Sequence, residues 1–216
     1  MASVNKPERR PYHSPRRASA ARRTRETIVR SAKESFEQKG FSATTIPLIA
    51  SAAGVSPKTV EALFGTKAAL LRAVVDYAIR GDLLDIPVSE REGGTRIEAA
   101  PTAAELLDLH ASHVSSIVER TARVAWSVEH AAAGDPDVAD LWQNMTRNRR
   151  SGVTWATDLL LAKPDADPTL ERRYVENTFW LALEWGTYRT MTEQHGLTPK
   201  QFEQWLRSYY RNMLHS

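Results

Sequence analysis

The chain has 216 residues and a hydrophobic fraction of 42%, enough for a sizeable core in one large or two small domains. It contains no cysteine, which excludes disulfides, thiolate metal sites and cysteine catalysis. No apolar run approaches the roughly 20 residues of a membrane span, and no continuous apolar segment follows the basic N-terminus as in a secretory signal. These features predict a soluble, cytoplasmic protein without a membrane partner.

The positive charge of the chain is concentrated at its N-terminus. Residues 1–25 hold eight basic residues and one acidic residue. These residues carry a net charge of +7, whereas the whole chain carries +3, so the other 191 residues carry −4. A basic segment on a mildly acidic body favours a polyanionic partner, although a solvated tail has the same composition. Because Pro7, Pro11 and Pro15 interrupt helices, residues 1–21 are predicted to be a disordered basic arm.

Four helices with clear end signals follow the arm. Thr45 and Ser56 are favoured N-cap residues, and each lies one or two positions before a proline that suits the first turn of a helix. Gly54 lies in a tight turn between two short helices, which is the signature of a helix-turn-helix motif. Gly81 ends the fourth helix. The four helices are predicted at about 21–39, 46–53, 57–64 and 67–80.

The rest of the chain is also predicted to be helical. Residues 82–101 contain several prolines and glycines and are expected to form a mobile connector. Apolar residues then recur at helical spacing, with no strand-like alternation and no internal repeat. Five more helices are expected at about 102–120, 121–133, 136–162, 169–195 and 199–214. The sequence therefore predicts an all-α fold of about nine helices, with the arm at 1–21, a helix-turn-helix domain at 22–81 and a second group of helices at 82–216.

Residues 24–78 contain a spaced set of residues that is typical of one family of DNA-binding domains: Phe36, Gly40-Phe41, Thr44-Thr45, Ile49-Ala50, Ala53-Gly54-Val55-Ser56, Thr59, Phe64, Lys67 and Leu70-Leu71. On these residues, the segment resembles the N-terminal DNA-binding domain of the TetR/AcrR family of transcriptional regulators. The resemblance implies a homodimeric repressor with a DNA-binding domain at 22–81 and a regulatory and dimerisation domain at 82–216, whose helices enclose a small-molecule pocket and form a dimer surface. The regulatory part of this family is too divergent for residue-by-residue transfer, so the resemblance covers about a quarter of the chain.

The start of the third helix is the predicted element that reads DNA, since the second helix of such a motif enters the major groove. A lysine there donates to guanine or to a phosphate, and a threonine contacts a thymine methyl group or a phosphate. The N–H groups near Thr45 form a further phosphate seat, and Lys67 matches the phosphate-contacting lysine of the family. Lys58 and Lys67 as plain solvated lysines remain the alternative. The predicted DNA-binding residues are Thr45, Ser56, Pro57, Lys58, Thr59 and Lys67, with Arg22 and Arg23 near the arm.

Two positions depart from the family pattern. Glu61 and Leu63 stand where the family commonly has a tyrosine and a histidine that contact phosphates. A glutamate repels a phosphate, so Glu61 either accepts a hydrogen bond from a cytosine amino group or points away. We therefore expect the basic arm to supply the missing backbone contacts, with a passive tail as the alternative.

The middle helices carry aromatic and polar residues that suit a mostly apolar cavity with a few polar anchors. The same residues at helical spacing also suit an ordinary core. His110 and His113 share one helix face, but no carboxylate or thiolate completes a metal site, and no metal or cofactor is expected. The predicted ligand-binding residues are His110, Trp126, His130, Trp142, Met145 and Trp155.

The last two predicted helices are apolar on two sides and must therefore be buried on two sides. The family resemblance implies that they pair with their symmetry mates in a four-helix bundle, with small residues that allow close approach. Packing of both faces inside one large monomer core is the alternative. The predicted dimer-interface residues are Phe179, Ala182, Gly186, Phe202, Trp205 and Tyr209.

These observations predict a DNA-binding transcriptional regulator, a repressor that a small-molecule effector releases from its double-stranded operator. The alternative is a regulator of the same type with no small-molecule effector. Enzymatic activity is not expected, because GxSxG, HExxH and GxxxxGK motifs are absent. The sequence does not identify the effector, the operator, the regulated genes or whether the protein represses or activates them, and repression is what the family resemblance implies.

Overall fold

The computed structural model describes residues 15–214, with side chains from residue 19 onward. This part of the chain is all-α and contains no strand. None of the helices within residues 15–214 is long and apolar enough to cross a membrane. Short 3-10 turns lie at Val88–Glu90 and Asn212–Leu214, and a π-helical turn at Thr190–Gln194. The α-helices are α1 (Pro15–Ala43), α2 (Ile46–Ala52), α3 (Pro57–Phe64), α4 (Lys67–Arg80), α5 (Glu92–Glu98), α6 (Ala103–Ala132), α7 (Pro136–Leu161), α8 (Arg172–Ala182), α9 (Trp185–Arg189) and α10 (Pro199–Arg211).

The predicted helix-turn-helix is present as α2 and α3, with boundaries within one residue of those expected. The Thr45 hydroxyl accepts a hydrogen bond from the Leu48 N–H, and the Ser56 hydroxyl accepts one from the Thr59 N–H. Each cap satisfies a helix N–H that has no partner inside its own helix. Their small core joins α1 and α4 through fully buried apolar side chains that include Ile28, Phe36, Ile49, Val60 and Leu70.

The first helix begins earlier than the sequence predicted. Residues 15–21, expected within the disordered arm, are helical, because Pro15 occupies the first helical position, where its missing N–H has no partner to lose. Residues 1–14 of the predicted arm lie outside the described residues. At its other end α1 breaks at Gly40, whose φ of 74° and ψ of 173° leave Phe41–Ala43 as a separate turn.

The predicted mobile connector is instead structured. Its centre is Arg91, whose guanidinium pairs with Asp82 at 2.8 Å and donates to the carbonyls of Leu84 and Ile86. Helix α5 buries Ile97 completely. The charge-assisted hydrogen bonds of Arg91 and the buried side chain of Ile97 hold this segment in one conformation, although its prolines and glycines had predicted mobility.

Two further helix boundaries differ from the prediction. The two helices expected at 102–120 and 121–133 are one 30-residue helix, α6, which packs against α1, α4, α5, α7, α9 and α10. The long helix expected at 169–195 is broken after Ala182, where Glu184 takes an extended conformation with ψ 117° before α9 begins. Glu184 forms an ion pair at 2.8 Å with Arg149 of α7, so a tertiary contact accompanies the break.

Candidate DNA-binding surface and ligand cavity

The start of α3 is exposed in the manner expected of a reading helix. Ser56, Pro57 and Lys58 are exposed, while Thr59 is half-buried and its hydroxyl lies 2.9 Å from that of Ser56. The opposite face of α3 is anchored by Val60, which is fully buried. This arrangement leaves the first turn of α3 accessible and the rest fixed to the domain. Thr45 and Glu61 are also exposed.

An arginine that the sequence analysis did not single out ties α1 to the end of α3. Arg25 donates to the carbonyl of Leu63 at 3.1 Å, and its guanidinium carbon lies 4.4 Å from the centroid of the Phe64 ring. A cation at the C-terminal end of a helix interacts favourably with the partial negative charge of the helix dipole, and the face of an aromatic ring also attracts it. Leu63 itself is half-buried against the core, so its role is in packing, which accounts for one departure from the family pattern. In the sequence, the one feature that distinguishes Arg25 is that it belongs to the eight basic residues of residues 1–25.

Lys67 has two intramolecular partners. Its ammonium group donates to the carbonyls of Phe41 at 2.8 Å and Thr44 at 3.0 Å, and lies 4.0 Å from the centroid of the Phe41 ring. Burial lowers the pKa of Lys67. Lys67 therefore joins the first residue of α4 to the segment before α2, and one N–H remains for a phosphate.

The two predicted arginine contacts lie on the N-terminal part of α1. Arg22 and Arg23 are both exposed, and Arg23 donates to the Ser19 hydroxyl at 3.0 Å. Both therefore lie on α1, in the helix that the sequence predicted from about residue 21.

A cavity of about 520 Å³ lies between α4, the Val88–Glu90 turn, α6, α7 and the break between α8 and α9. Three of the six predicted ligand-binding residues line it: His110, Met145 and Trp155. Trp142 lies one layer behind, with its ring centroid 5.4 Å from that of Trp185, which is itself a lining residue. The cavity has the size of ordinary small-molecule sites.

The other two predicted ligand-binding residues do not line this cavity. Trp126 is 40% exposed and His130 is exposed, and their rings lie 4.2 Å apart on the outer face of α6. The inward positions near this end of α6 are Val124, Ala125 and Val128, which are fully buried or nearly so. Helical periodicity therefore turns residues 126 and 130 away from the core.

The two histidines of the cavity are neutral at neutral pH. His110 is 2% exposed and its ring packs 4.4 Å from Phe179 and 5.4 Å from Tyr210. Burial lowers the pKa of His110 to about 3, and it also lowers the pKa of His113. The Nδ1 atom of His110 is buried with no protein hydrogen-bond partner. No group of three or more metal-ligating side chains occurs within residues 15–214.

Sequence reasoning missed the charged residues of the cavity wall. Arg149 is held between aromatic rings, 3.6 Å from the Trp180 centroid and 5.0 Å from that of Trp185, and it pairs with Glu184. Burial lowers the pKa of Arg149, whose side chain is only 9% exposed, and the nearby Glu184 carboxylate opposes that shift. Asp76 is a further lining residue. Neither stands in a motif, and only the packing of α4 and α7 brings them to one cavity.

The structure corrects three of the six predicted dimer-interface residues. Phe179, Ala182 and Phe202 are at most 1% exposed in the single chain, because α8 packs on α7 with Phe179 against His110 of α6, and α10 packs on α6. They therefore belong to the core of one subunit. Gly186 is exposed, and Trp205 and Tyr209 are half-buried with stacked rings 5.4 Å apart.

Other apolar side chains of α8 do reach the surface. Tyr174 is 45% exposed and Leu181 is 52% exposed. Their separation of seven residues places them on one face of that helix. The second apolar side of this region thus lies on the surface, at residues other than those predicted.

The C-terminal end of α4 is fastened to the larger domain. Arg120 of α6 donates to the carbonyls of Ala78 and Ile79, both at 2.9 Å. Arg91 donates to the carbonyl of Arg80 at 3.3 Å. These are carbonyls of the last helical turn, which lack partners within the helix. One helix thus connects the helix-turn-helix to the cavity wall.

Comparison with known proteins agrees with this architecture. The profile of the family described as bacterial regulatory proteins, tetR family, matches residues 28–74, from α1 into α4. Comparison with the curated proteins yields no match.

Solved structures match along nearly the whole chain. NalD, the secondary repressor of the MexAB-OprM multidrug efflux pump in Pseudomonas aeruginosa, is 21% identical, with 90% of this chain and 97% of that chain covered and a TM-score of 0.66. A protein described as a TetR-family regulator from Mesorhizobium loti is 18% identical, with 90% and 96% covered and a TM-score of 0.67. A transcriptional regulator from Saccharomonospora viridis, in complex with choline, is 14% identical, with 88% and 96% covered and a TM-score of 0.66.

These identities are low enough that the solved structures establish a shared fold alone. The matched N-terminal segment adds the sequence pattern of the DNA-binding domain, at the residues where α2 and α3 form the helix-turn-helix. Together these findings identify residues 28–74 as a DNA-binding domain of the tetR family of bacterial regulatory proteins, within a chain that shares the overall fold of solved TetR-family regulators.

Proposed function

We propose that this chain is a dimeric repressor that binds operator DNA through α3 and is released when a small molecule occupies the cavity. The observation that carries the proposal is the position of α4. Its first residue, Lys67, is bonded to the segment before α2, and its later residues Asp76, Ile79 and Arg80 line the cavity. A ligand there touches the helix that positions the DNA-reading element.

The DNA contacts are assigned to the exposed first turn of α3 and to flanking cations. Lys58 is the exposed cation nearest the start of that helix, where base contacts are made in this motif. Ser56, Pro57 and Thr59 complete the reading surface. Thr45 at the start of α2, Lys67 and the exposed Arg22 and Arg23 contact the phosphate backbone, which positions the domain without reading sequence. Residues 22–81 form the DNA-binding domain in this proposal, extended to residue 15 by α1.

Effector control follows from the attachment of α4 at both ends. Arg120 and Arg91 hold its C-terminal carbonyls, so a ligand that displaces the cavity wall moves α4 and, through Lys67, the α2–α3 unit. In a dimer this changes the separation of the two reading helices. Release requires the ligand to bind one of the two arrangements more tightly, since equal affinity shifts no equilibrium.

The cavity residues His110, Met145 and Trp155 are assigned to ligand contact, with Trp142 supporting Trp185 from behind. The choline complex of the Saccharomonospora viridis protein supports a small-molecule site in this fold. A regulator with no effector would be favoured by a closed core, and the cavity of about 520 Å³ argues against it.

The dimer surface is assigned to the outer faces of α8, α9 and α10. Tyr174 and Leu181 are large exposed apolar side chains of the kind that a subunit interface covers. Gly186, Trp205 and Tyr209 complete this surface. Replacement of Leu181 by aspartate is expected to give monomers in analytical ultracentrifugation at micromolar concentration, whereas an unchanged dimer would place the interface elsewhere.

The proposed DNA contacts are tested by selection of operator sequences from a random duplex library with the full chain, followed by affinity measurement over a range of salt concentrations. A palindromic sequence with half-sites about one helical turn apart, or a multiple of it, is expected. Lys58→Ala should weaken binding and relax preference at one base position, while Lys200→Ala, an exposed lysine at the start of α10, serves as the matched control. Equal behaviour of the two variants would remove α3 from the reading role.

The contribution of the basic N-terminus is tested separately. The salt slope is the slope of the logarithm of the DNA-binding constant against the logarithm of the salt concentration. Its magnitude should decrease by about 0.9 for each phosphate that the protein no longer neutralises. We expect a lower slope when residues 1–14 are deleted and a further decrease when Arg22 and Arg23 are both replaced by alanine. Slopes equal to that of the full chain would make this end of the protein a passive segment.

A further inference from the structure

The wall of the cavity contains a carboxylate without a partner. Asp76 lies on α4, is half-buried and lines the cavity. Within the described part of the chain no hydrogen bond or ion pair reaches it, and Arg80 and Arg72 of the same helix affect it only at longer range. Burial raises the pKa of Asp76. A carboxylate that is partly withdrawn from water without a partner is destabilising unless a cation or a hydrogen-bond donor joins it.

The other charges of the cavity wall already have partners. Arg80 pairs with Asp85 at 3.0 Å, and Arg149 pairs with Glu184 at 2.8 Å. His110 and His113 carry no charge at neutral pH, because burial lowers the pKa of each. Among the described lining residues, the charge left without a close counter-ion is therefore the single negative charge of Asp76.

The remaining lining suits the body of an organic cation. Trp155, Trp185 and Met145 contribute aromatic and polarisable surface, and the face of an indole ring attracts cations. The neighbouring Trp180 already holds the guanidinium of Arg149 at 3.6 Å from its centroid. His110 adds a buried ring nitrogen without a partner, which can form one hydrogen bond with a polar group of a ligand.

We propose that the cavity binds a singly charged organic cation with an apolar or aromatic body, and that Asp76 is its counter-ion. This inference rests on the proposed function, since it names the chemical class of the effector for the same cavity. The cation sits beside α4, so neutralisation of Asp76 acts on the helix that carries Lys67 and, beyond it, the helix-turn-helix.

Ligands of other charge fit the same wall less well. An anion lies close to the uncompensated Asp76, and the charges of Arg80 and Arg149 that could attract it are already offset by Asp85 and Glu184. An uncharged ligand covers Asp76 further from water and supplies no compensating charge.

The test compares three probes of similar shape and different charge. Benzyltrimethylammonium is a permanent cation, 2,2-dimethylpropylbenzene is its uncharged carbon isostere, and phenylacetate is an anion. Their binding to the full chain is measured by competition and titration calorimetry in the absence of DNA. The cation is expected to bind at least about tenfold more tightly than the isostere, the size of one charge-assisted interaction, and the anion to bind most weakly.

Variants then assign the preference to one residue. Asp76→Asn should abolish the advantage of the cation over the isostere. Asp140→Asn, which removes the same charge from an exposed position of α7 outside the cavity lining, should leave it intact. Thermal unfolding of each variant establishes that it is folded, and the ranking of the three probes on the unmodified chain decides the charge class whether or not Asp76→Asn folds.

Equal binding of the cation and the isostere, preference for the anion, absence of binding by all three probes, or full cation binding by folded Asp76→Asn would each overturn the proposal. Operator binding is measured on the same preparations. A chain that binds the cation but no DNA contradicts the proposed function alone, and one that binds DNA but prefers the anion contradicts this inference alone.

Discussion

Replacement of Arg120 by alanine is the sharpest test of how the two parts of the chain are joined. The last four carbonyls of a helix have no partner within it. In α4 these carbonyls belong to residues 77–80. The carbonyl of residue 77 accepts a hydrogen bond from the Gly81 N–H, those of residues 78 and 79 accept from Arg120, and that of residue 80 accepts from Arg91. Arg120 thus satisfies half of this helix end, and burial lowers the pKa of its guanidinium.

The expected loss of stability follows from these contacts. A hydrogen bond from a charged donor contributes about 1.5–3 kcal/mol, and a cation at a helix C-terminus contributes about 0.3–1 kcal/mol when exposed. Since water replaces part of both bonds in the variant, Arg120→Ala should lower the free energy of unfolding by about 2–4 kcal/mol. Urea denaturation at fixed protein concentration measures this value, with an unchanged m-value as evidence that the folded state is preserved.

The matched control lies three residues further along the same helix. Arg123 has a side chain that is 68% exposed and an ion pair with Glu193 at 3.4 Å. An exposed pair of this kind contributes less than about 1 kcal/mol. If Arg123→Ala is as destabilising as Arg120→Ala, the reasoning from unpaired carbonyls is wrong. Arg120→Ala should also retain operator affinity while losing most of its response to a cavity ligand, because the attachment of α4 is weakened at one end only.

Three further outcomes are expected. Burial lowers the pKa of His110 in the folded protein to about 3, so the unfolded state binds more protons between pH 6.5 and 3. As the pH falls through this range, the wild type should lose up to about 1.4 kcal/mol of stability per pH unit relative to His110→Leu. Parallel curves of stability against pH for the two proteins would contradict this. Gly94→Ala should destabilise the chain, because a Cβ would overlap the Ser89 carbonyl, whereas Gly152→Ala meets nothing within 4 Å and should be tolerated, as thermal melting would report. Lys67→Met should reduce both stability and DNA affinity, while equal melting temperatures for it and the wild type would remove its structural role.

The parts of the fold that the sequence predicted correctly are those with local signals. Thr45 and Ser56 are caps that act within one turn, and Gly81 ends α4 with a φ of 85° that favours glycine. These signals give α2, α3 and α4 to within one residue. The same signals located the helix-turn-helix that the family profile matches.

The parts that failed depend on contacts between distant residues. No glycine or proline marks the break between α8 and α9, where Glu184 meets Arg149 35 positions earlier in the chain. The order of the segment before α5 comes from one arginine, Arg91, which has no local signature. The residues that line the cavity depend on which face of α6 points inward, and the sequence alone does not determine that face. The prediction that Trp126 and His130 line the cavity was therefore wrong.

Helix α4 shows why the site and the switch have to be considered together. Lys67 at one end and the carbonyls held by Arg120 at the other fix its position, and both sets of bonds are directional. Between them Asp76 keeps a negative charge without a close partner. A cation at Asp76 stabilises whichever placement of α4 brings the two charges closest. Its effect on DNA affinity therefore depends on how far that placement differs from the one that α3 requires on the operator.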